Sequence, residues 1–258
     1  MLEVDGASRT LGGMQIIDDV SVRFKPGHLS VIIGPNGSGK TTLLRMMSGE
    51  LKPTRGLILY DGKAIAGTGM EALARKRAVL SQSSDLSFPL TVDEVVMMGR
   101  YPHFVLKPSR HDEEVCGAAI AAMGIDQIRG RNYLTLSGGE KHMVHFARVL
   151  AQIWIPPEDH HRYLLLDEPT AFLDINHQHL FLKMAKGMAE RDTVVVAVLH
   201  DILLAAQYAD FIVALRNGRK IAEGDVDSMI TPGLFRDLYG MNGKIFRGDG
   251  MTYPIIVF

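Results

Sequence analysis

The chain has 258 residues, of which 47% are hydrophobic and 22% are charged, and its formal net charge is -1. This balance predicts a globular unit with a substantial core, and the near-zero charge argues against a nucleic-acid binder, which usually carries a basic field. Apolar runs such as 194–199 are far too short to cross a bilayer, and no N-terminal targeting signal is visible. The single cysteine, Cys116, fits a reducing compartment.

Short apolar segments in the first sixty residues predict strands at 16–24, 29–33 and 57–60. The segment 29–33 is a β-branched run, which is typical of a strand buried on both faces. It ends at Gly34, where a glycine-rich turn begins, and a helix is predicted over 41–48. We expect an antiparallel β part near the N-terminus beside this unit.

The middle of the chain is helical in pattern, with predicted helices at 92–99, 113–123 and 137–152. We interpret the region of about 91–159 as a helical subdomain inserted into a core that is formed by 1–90 and 160–240. The stretch 241–258 would then be a C-terminal extension, whose apolar segments could pair as short strands or support a dimer contact.

After the helical region, buried strands are predicted at 163–166 and 193–199, each followed by a helical segment, at 178–191 and 202–208. Strands that alternate with helices predict a mostly parallel sheet. Segments 211–215 and 220–223 flank Asn217-Gly218 and predict a late hairpin. The fold class is therefore α/β, and the whole chain is interpreted as one domain.

The strongest local motif follows the strand at 29–33 and matches the phosphate-binding loop pattern in full. Glycines let backbone N–H groups surround phosphate oxygens, and the following helix N-terminus favours an anion. Lys40 would carry positive charge to the outer phosphates, and the hydroxyl of Thr41 would be offered to Mg²⁺. The predicted nucleotide-binding residues are Gly34, Pro35, Asn36, Gly37, Ser38, Gly39, Lys40, Thr41 and Thr42.

Two carboxylates, Asp167 and Glu168, stand at the end of the apolar strand at 163–166. Ligands of such sheets bind beyond the carboxyl ends of the strands. Asp167 is placed to hold Mg²⁺, and Glu168 is placed to polarise an attacking water, a contribution of about 10²–10⁴-fold when a general base is positioned. With the phosphate-binding loop, this pair predicts hydrolysis of a nucleoside triphosphate such as ATP.

A third motif lies between the other two and opens a predicted helix, with Ser137 as a good N-cap. It consists of Leu136, Ser137, Gly138, Gly139 and Glu140. With this motif in place, the chain resembles the nucleotide-binding subunits of ABC transporters over about residues 2–227. Gln82 after a strand, His200 after another strand, and Asp174 in the segment 171–174 match further positions of that family.

The resemblance implies that two copies sandwich two ATP molecules, with each phosphate-binding loop facing the signature motif of the other copy. Gln82 would contact Mg²⁺ or the attacking water, and His200 would hold the γ-phosphate. Asp174 would be the aspartate of the family's D-loop. The family further implies a homodimer bound to two copies of a transmembrane permease, with a periplasmic substrate-binding protein acting indirectly and no nucleic acid. The subunit would lie peripherally on the cytoplasmic face of the bacterial inner membrane.

The chain departs from the family pattern in two places. Glu140 stands where Gln is common, and Lys141-His142-Met143 replaces a more usual Gln-Gln-Arg. Near the first glycine turn, Leu11 and Arg9 occupy the region where the family often has an aromatic residue for adenine. Adenine is therefore not expected to stack on an aromatic ring here.

Two segments bear on the cargo within this family. Residues 96–103 resemble importers of iron complexes, haem and cobalamin, and the long connection at 147–162 resembles haem-importer ATPases in particular. Haem is the favoured cargo, with ferric siderophore and cobalamin as the alternatives. Two other classes are alternative interpretations of the same motifs. One is a soluble ABC ATPase acting on DNA or ribosomes, which usually needs a longer chain. The other is a non-catalytic nucleotide sensor, against which the intact Lys40, Asp167, Glu168 and His200 argue.

Overall fold

The computed structural model describes residues 1–81, 86–156, 160–171, 173–246, 248 and 253–257. The strands are β1 (Leu2–Leu11), β2 (Met14–Phe24), β3 (Leu29–Ile33), β4 (Arg55–Tyr60), β5 (Lys63–Ala64), β6 (Arg77–Leu80), β7 (Arg162–Asp167), β8 (Thr193–Val198), β9 (Phe211–Arg216), β10 (Arg219–Gly224), β11 (Lys244–Phe246) and β12 (Ile255–Val257). The helices are α1 (Lys40–Met47), α2 (Met70–Lys76), α3 (Val92–Met97), α4 (Arg110–Ala122), α5 (Gly138–Gln152), α6 (Ile175–Glu190), α7 (Ile202–Tyr208), α8 (Val226–Met229) and α9 (Pro232–Tyr239).

The central sheet has the strand order β10-β9-β3-β8-β7-β6. Neighbouring strands from β9 to β6 pair in parallel, and β10 pairs antiparallel with β9 as the late hairpin. Every residue of β3, β7 and β8 is buried, because both faces of the sheet are covered. The prediction of a mostly parallel sheet is confirmed.

A second sheet, in the order β2-β1-β4-β5, is antiparallel throughout and covers one face of the central sheet together with α1. Its apolar side chains share a buried cluster with alternate residues of the central strands, such as Ile32, Leu165 and Val196. Residues 31, 164 and 195 point to the opposite face, where the helices pack. The expected antiparallel part near the N-terminus is therefore confirmed.

The three helices α3, α4 and α5 lie in the chain between β6 and β7. Each begins with a capping box, in which the N-cap hydroxyl and an acidic side chain three residues later satisfy each other's backbone N–H groups. A buried ion pair joins Arg100 to Asp112 at 2.9 Å and ties the start of α4 to the segment after α3. The division of the chain near residues 91 and 159 stays a prediction.

Some predicted bounds were wrong. The helix expected over 92–99 ends at Met97 and continues as a 3₁₀ segment, Met98–His103, in which Gly99 lies against α5 so closely that a Cβ there would be 2.1 Å from the Arg148 carbonyl oxygen. The short helices α2, α8 and α9 were not predicted, because four to eight residues carry too little periodicity. For α9, the N-cap Thr231 followed by Pro232 at the first helical position could have indicated the helix start.

The described part of the C-terminal stretch forms a two-stranded antiparallel ribbon of β11 and β12, which confirms the expected pairing of short strands, while a dimer contact there stays a prediction. Ile256 is buried and belongs to the apolar cluster on the helical face of the central sheet. Among the helices that the structure describes, none has the length and apolar character needed to cross a membrane.

Candidate functional site

Three neighbouring strands of the central sheet end at one edge and place the predicted site residues there. The register pairs Val198 of β8 with Ile32 of β3 on one side and with Asp167 of β7 on the other. The segments that follow these strands therefore meet: the phosphate-binding loop after β3, Glu168 after β7 and His200 after β8. Parallel strands bring their carboxyl ends to the same edge, which is where such sheets bind ligands.

The loop between β3 and α1 depends on glycine at two points. Gly34 has φ 152° and Gly39 has φ 98°, and a Cβ on Gly34 would lie 2.1 Å from the Leu215 carbonyl oxygen. Gly39 is the N-cap of α1 and provides no side-chain hydrogen bond to the helix start. The first N–H groups of α1 are therefore left to an anion, which the helix dipole also favours.

Lys40 folds back over this loop. Its Nζ donates to the carbonyl oxygens of Gly34, at 2.9 Å, and of Pro35, at 3.0 Å, and the residue is only 5% exposed. Burial lowers the pKa of Lys40 below its ordinary value, while the nearby carboxylates of Glu168 and Asp167 oppose that shift. A cation held at the mouth of the loop can neutralise phosphate charge.

Thr41 and Asp167 form a pair of oxygen donors below the loop. The Thr41 hydroxyl donates to Asp167 Oδ1 at 3.0 Å. Asp167 is 3% exposed, and burial raises its pKa above the ordinary value despite the Thr41 hydrogen bond. A hydroxyl beside a buried carboxylate is a donor set that suits Mg²⁺, which is bound through one or two carboxylates together with substrate phosphates.

Glu168 and His200 meet although they are 32 positions apart in the chain. His200 Nε2 donates to Glu168 Oε1 at 2.5 Å. Glu168 has φ 51°, a left-handed conformation that is uncommon for a residue with a side chain, especially one other than Asn or Asp. The arrangement directs a carboxylate toward the cavity with a histidine fixed against it.

The cavity at this edge has a volume of about 620 Å³, within the usual range for a small-molecule site. Ile16 at the start of β2 also contacts it, although no sequence signal singled this residue out. Leu11, in the region where the family often has an aromatic residue for adenine, is 64% exposed, and Arg9 donates to the Lys52 carbonyl oxygen at 2.9 Å. The cavity is lined by Ile16, Asn36, Gly37, Gly39, Lys40, Thr41, Thr42, Glu168 and His200.

Ser38 is a buried residue of the phosphate-binding loop. It is 2% exposed, and its hydroxyl oxygen has no hydrogen-bond partner within the described parts of the chain. A buried hydroxyl in this position is costly unless a bound group or a water satisfies it. The loop therefore carries a polar atom that a ligand or solvent must complete.

The signature motif lies outside the cavity of its own chain. Ser137 caps α5, its hydroxyl accepts from the Glu140 backbone N–H at 3.3 Å, and the Glu140 carboxylate accepts from the Ser137 N–H at 2.8 Å. The hydrogen bonds that the Glu140 carboxylate accepts from Ser137 lower its pKa, and the carboxylate also pairs with Arg131 at 3.1 Å. Leu136 is buried, whereas Ser137 and Gly138 are exposed.

Two further predicted residues have different outcomes. Asp174 is the N-cap of α6: it accepts from the His177 backbone N–H at 2.9 Å, and its other oxygen lies 2.7 Å from His177 Nδ1. Its carboxylate is 63% exposed, and its role toward a second copy stays a prediction. Gln82 lies outside the residues that the structure describes.

The turn after Glu168 is held by side chains that the sequence did not reveal. His142 Nε2 donates to the Pro169 carbonyl oxygen at 2.7 Å, and Gln178 donates to the carbonyl oxygens of Thr170 and Leu173 at 3.2 and 3.1 Å. The sequence showed His142 only as a departure from a motif. Its partner is 27 positions away, so no local pattern could have found the contact.

Comparison with known proteins gives a consistent family. Residues 17–171 match the model of the ABC transporter family. Curated relatives named "Hemin import ATP-binding protein HmuV" are 43% identical in Gloeobacter violaceus, over 100% of this chain and 94% of that protein, and 39% identical in Pseudomonas aeruginosa, over 100% and 99%.

Solved structures agree with this family. The fold is similar to that of an inward-facing metal-chelate type ABC transporter, with a TM-score of 0.82 at 22% identity, over 99% of this chain and 96% of that one. It is also similar to cbiO1 from Clostridium perfringens, with a TM-score of 0.75 at 26% identity over 92% of each chain. The chain therefore belongs to the ABC transporter family, as one of its ATP-binding, ATP-hydrolysing subunits.

Proposed function

We propose that this ATPase powers the import of hemin across the bacterial inner membrane through a separate permease. The observation that carries the cargo is the full-length similarity, at 38–43% identity, to several proteins named as hemin import ATP-binding proteins. The subunit would bind peripherally at the cytoplasmic face and work as a homodimer with two permease copies. A ferric siderophore or cobalamin remains the alternative cargo for the same machinery.

The phosphates of ATP would occupy the loop at 34–39. Lys40 would exchange its contacts with the loop carbonyl oxygens for contacts with the outer phosphates, and the uncapped start of α1 would donate N–H groups. Thr41 and Asp167 fit Mg²⁺, which would neutralise the phosphate charge, and Gln82 is proposed as a further contact of the ion or the water. Ile16 would pack on the base in place of an aromatic ring.

Hydrolysis would use Glu168 as the general base. Water attacks the γ-phosphorus, the bond to the ADP oxygen breaks, and a proton of the water passes to the Glu168 carboxylate, which gives ADP and phosphate. His200 holds Glu168 through its Nε2 and would lie beside the γ-phosphate. The strained backbone at Glu168 supports this role, because such strain persists where the surroundings fix a side chain for function.

The signature motif would act on ATP that is bound to a second copy. Gly138 and Gly139 have ordinary backbone angles, and a Cβ on either would meet nothing within 4 Å. Glycine in a helix costs about 1 kcal/mol relative to alanine, so these glycines are not explained by the fold of one chain. Close approach of an external phosphate explains them, with Ser137 as a contact and Asp174 facing the same partner.

The cargo is tested with the ATPase and its co-purified permease in lipid vesicles. We expect ATP-dependent uptake of hemin that exceeds uptake of a ferric siderophore and of cobalamin, and a loss of uptake in Glu168→Gln, which should instead accumulate as an ATP-bound dimer. Preferred uptake of another cargo would overturn the hemin assignment and leave the transport role intact. Glu168→Gln that hydrolyses ATP at the native rate would contradict the role of Glu168.

The two rival functional classes predict different ATPase behaviour. A soluble ABC ATPase acting on DNA or ribosomes would show ATPase activity that nucleic acid stimulates and a permease does not. A nucleotide sensor would bind ATP without turnover. Steady-state ATPase assays with and without permease or nucleic acid distinguish all three.

A further inference from the structure

His142 connects the signature helix to the turn that carries Glu168. It stands on α5, five residues after the N-cap Ser137, and its Nε2 lies 2.7 Å from the Pro169 carbonyl oxygen. A carbonyl oxygen only accepts, so Nε2 carries the proton and donates it. The acceptor belongs to the residue directly after Glu168.

The turn at Glu168 and Pro169 needs such support. The positive φ of Glu168 is unfavourable for a residue with a side chain and persists only where neighbouring groups fix it. The Ala171 N–H closes the turn on the Glu168 carbonyl oxygen at 3.1 Å, and Gln178 holds the following carbonyl oxygens from α6. His142 adds the connection to α5.

The surroundings of His142 keep it in the donating form. Its ring lies against Phe181, with ring centroids 5.8 Å apart, and desolvation lowers its pKa below the ordinary value even though the Pro169 hydrogen bond opposes the shift. At neutral pH the ring is therefore neutral, with its proton on the nitrogen that contacts Pro169. The connection is fixed in both geometry and tautomer.

We propose that His142 is a positioning residue: through the Pro169 carbonyl oxygen it couples the signature end of α5 to Glu168 of the same chain, so that ATP capped by Ser137 at one site aligns the general base at the other. This inference rests on the proposed dimer. His142 lies about 7.5 Å further along the helix axis than Ser137, within one rigid helix. A displacement of the helix start on closure is thus carried to the turn at Glu168.

The test compares His142→Leu, which removes the donor, with His142→Gln, whose amide nitrogen reaches a similar point and can donate. The matched control is His103→Leu: His103 Nε2 also lies 2.7 Å from a backbone carbonyl oxygen, that of Gln152, and burial also lowers the pKa of His103. His103 contacts neither α5 near Ser137 nor the turn at Glu168 in the bonds described. Unfolding temperature, KM for ATP, kcat and the Hill coefficient are measured for the full chain.

We expect His142→Leu to lose about tenfold in kcat, the effect of one hydrogen bond on a barrier, with KM for ATP changed less than about twofold. Its Hill coefficient for ATP should fall to about 1, because the two sites no longer communicate. His142→Gln should recover both values, and His103→Leu should change only the unfolding temperature.

Three results obtained with an active native chain would overturn the inference. His142→Leu with native kcat and Hill coefficient would remove the coupling role, as would a His142→Gln variant as defective as His142→Leu, or a His103→Leu variant with the same loss. A native chain that shows no ATPase activity either alone or with its permease would overturn the proposed function and this inference together. Native activity with an unaffected His142→Leu variant would overturn the inference alone.

Discussion

The phosphate-binding loop and the signature motif are both glycine-rich segments that open a helix, yet their glycines serve different purposes. Gly34 and Gly39 have positive φ angles, and added Cβ atoms would lie 2.1 Å from the Leu215 carbonyl oxygen and 2.6 Å from Ile17 Cδ1. Gly138 and Gly139 have no positive φ angle, and a Cβ added to either would meet no atom within 4 Å beyond its own helix and chain neighbours. The first pair is required by the fold of the chain, and the second pair has no role inside it.

The two helices that follow these segments also differ in how their N-termini are capped. α1 begins at Gly39 without a side-chain cap, so its N–H groups remain for a ligand, whereas α5 begins at Ser137 with a complete capping box. The loop is thus half of a site whose other partner is a nucleotide. The signature motif is a capped helix start, and the open space beside its two glycines leaves room for a group from outside the chain.

The largest expected effect comes from adding a methyl group to each kind of glycine. Gly34→Ala should destabilise the fold by about 3 kcal/mol or more, because the methyl group collides with backbone and the φ angle is strained. Gly139→Ala should leave the fold unchanged or stabilise it by up to about 1 kcal/mol through helix propensity. Thermal unfolding of the two variants beside the native chain measures the difference.

The ATPase rate of Gly139→Ala should fall even though its stability is kept. Gly139→Ala should still bind ATP as a single copy, since the loop at 34–39 is untouched. It should lose at least about tenfold in ATPase rate, because the closed dimer that we propose could no longer form around the phosphate. If Gly139→Ala unfolds at a lower temperature and hydrolyses ATP normally, the contrast between the two regions is wrong.

An intermediate effect is expected at Asp167, where binding and stability oppose each other. Burial raises the pKa of Asp167 above its ordinary value of 3.8, so the ionised form costs stability above the raised pKa, and the cost vanishes as the pH falls through that pKa toward 3.8. Asp167→Asn should therefore raise the unfolding temperature of the nucleotide-free chain at pH 7, by roughly 2–4 °C if about 1 kcal/mol is recovered.

The same variant should lose Mg²⁺-dependent ATPase activity. Its stability advantage should shrink when unfolding is measured at progressively lower pH, whereas Thr41→Val, which removes the hydroxyl partner, should not show that gain at pH 7. An advantage of Asp167→Asn that grows on acidification would contradict the sign of the pKa shift.

The smallest effect is expected at Glu140, the departure within the signature motif. Glu140→Gln keeps the capping box, because Gln can also accept from the Ser137 N–H, and removes only a half-exposed ion pair with Arg131. Such pairs contribute about 0.2–1 kcal/mol, so the unfolding temperature and kcat should both stay near native values. Glu140→Leu, which breaks the box, is the control that should destabilise α5 more.

Much of the site was predictable because its parts are local. The strand, loop and helix around Lys40 are contiguous, the Asp167-Glu168 pair follows directly on a buried strand, and Ser137 with Glu140 forms a cap within four residues. The strand-like runs at 29–33 and 193–199 were readable since both faces of the central sheet are buried. Short helices such as Val226–Met229 were not, as one turn carries no period.

The sequence by itself determined which chemical groups this protein carries: a glycine-rich loop with its lysine, a threonine and an aspartate suited to Mg²⁺, and the glutamate that we propose as the general base. Only the tertiary structure decided which segments meet. The strand order β3-β8-β7 brings His200 to Glu168, the packing of the second sheet brings Ile16 of β2 to the cavity, and the packing of α5 brings His142 to Pro169. The reason is that side-chain chemistry and short-range patterns are written in neighbouring residues. Contacts between segments 27 or 32 positions apart depend on how the sheet is assembled.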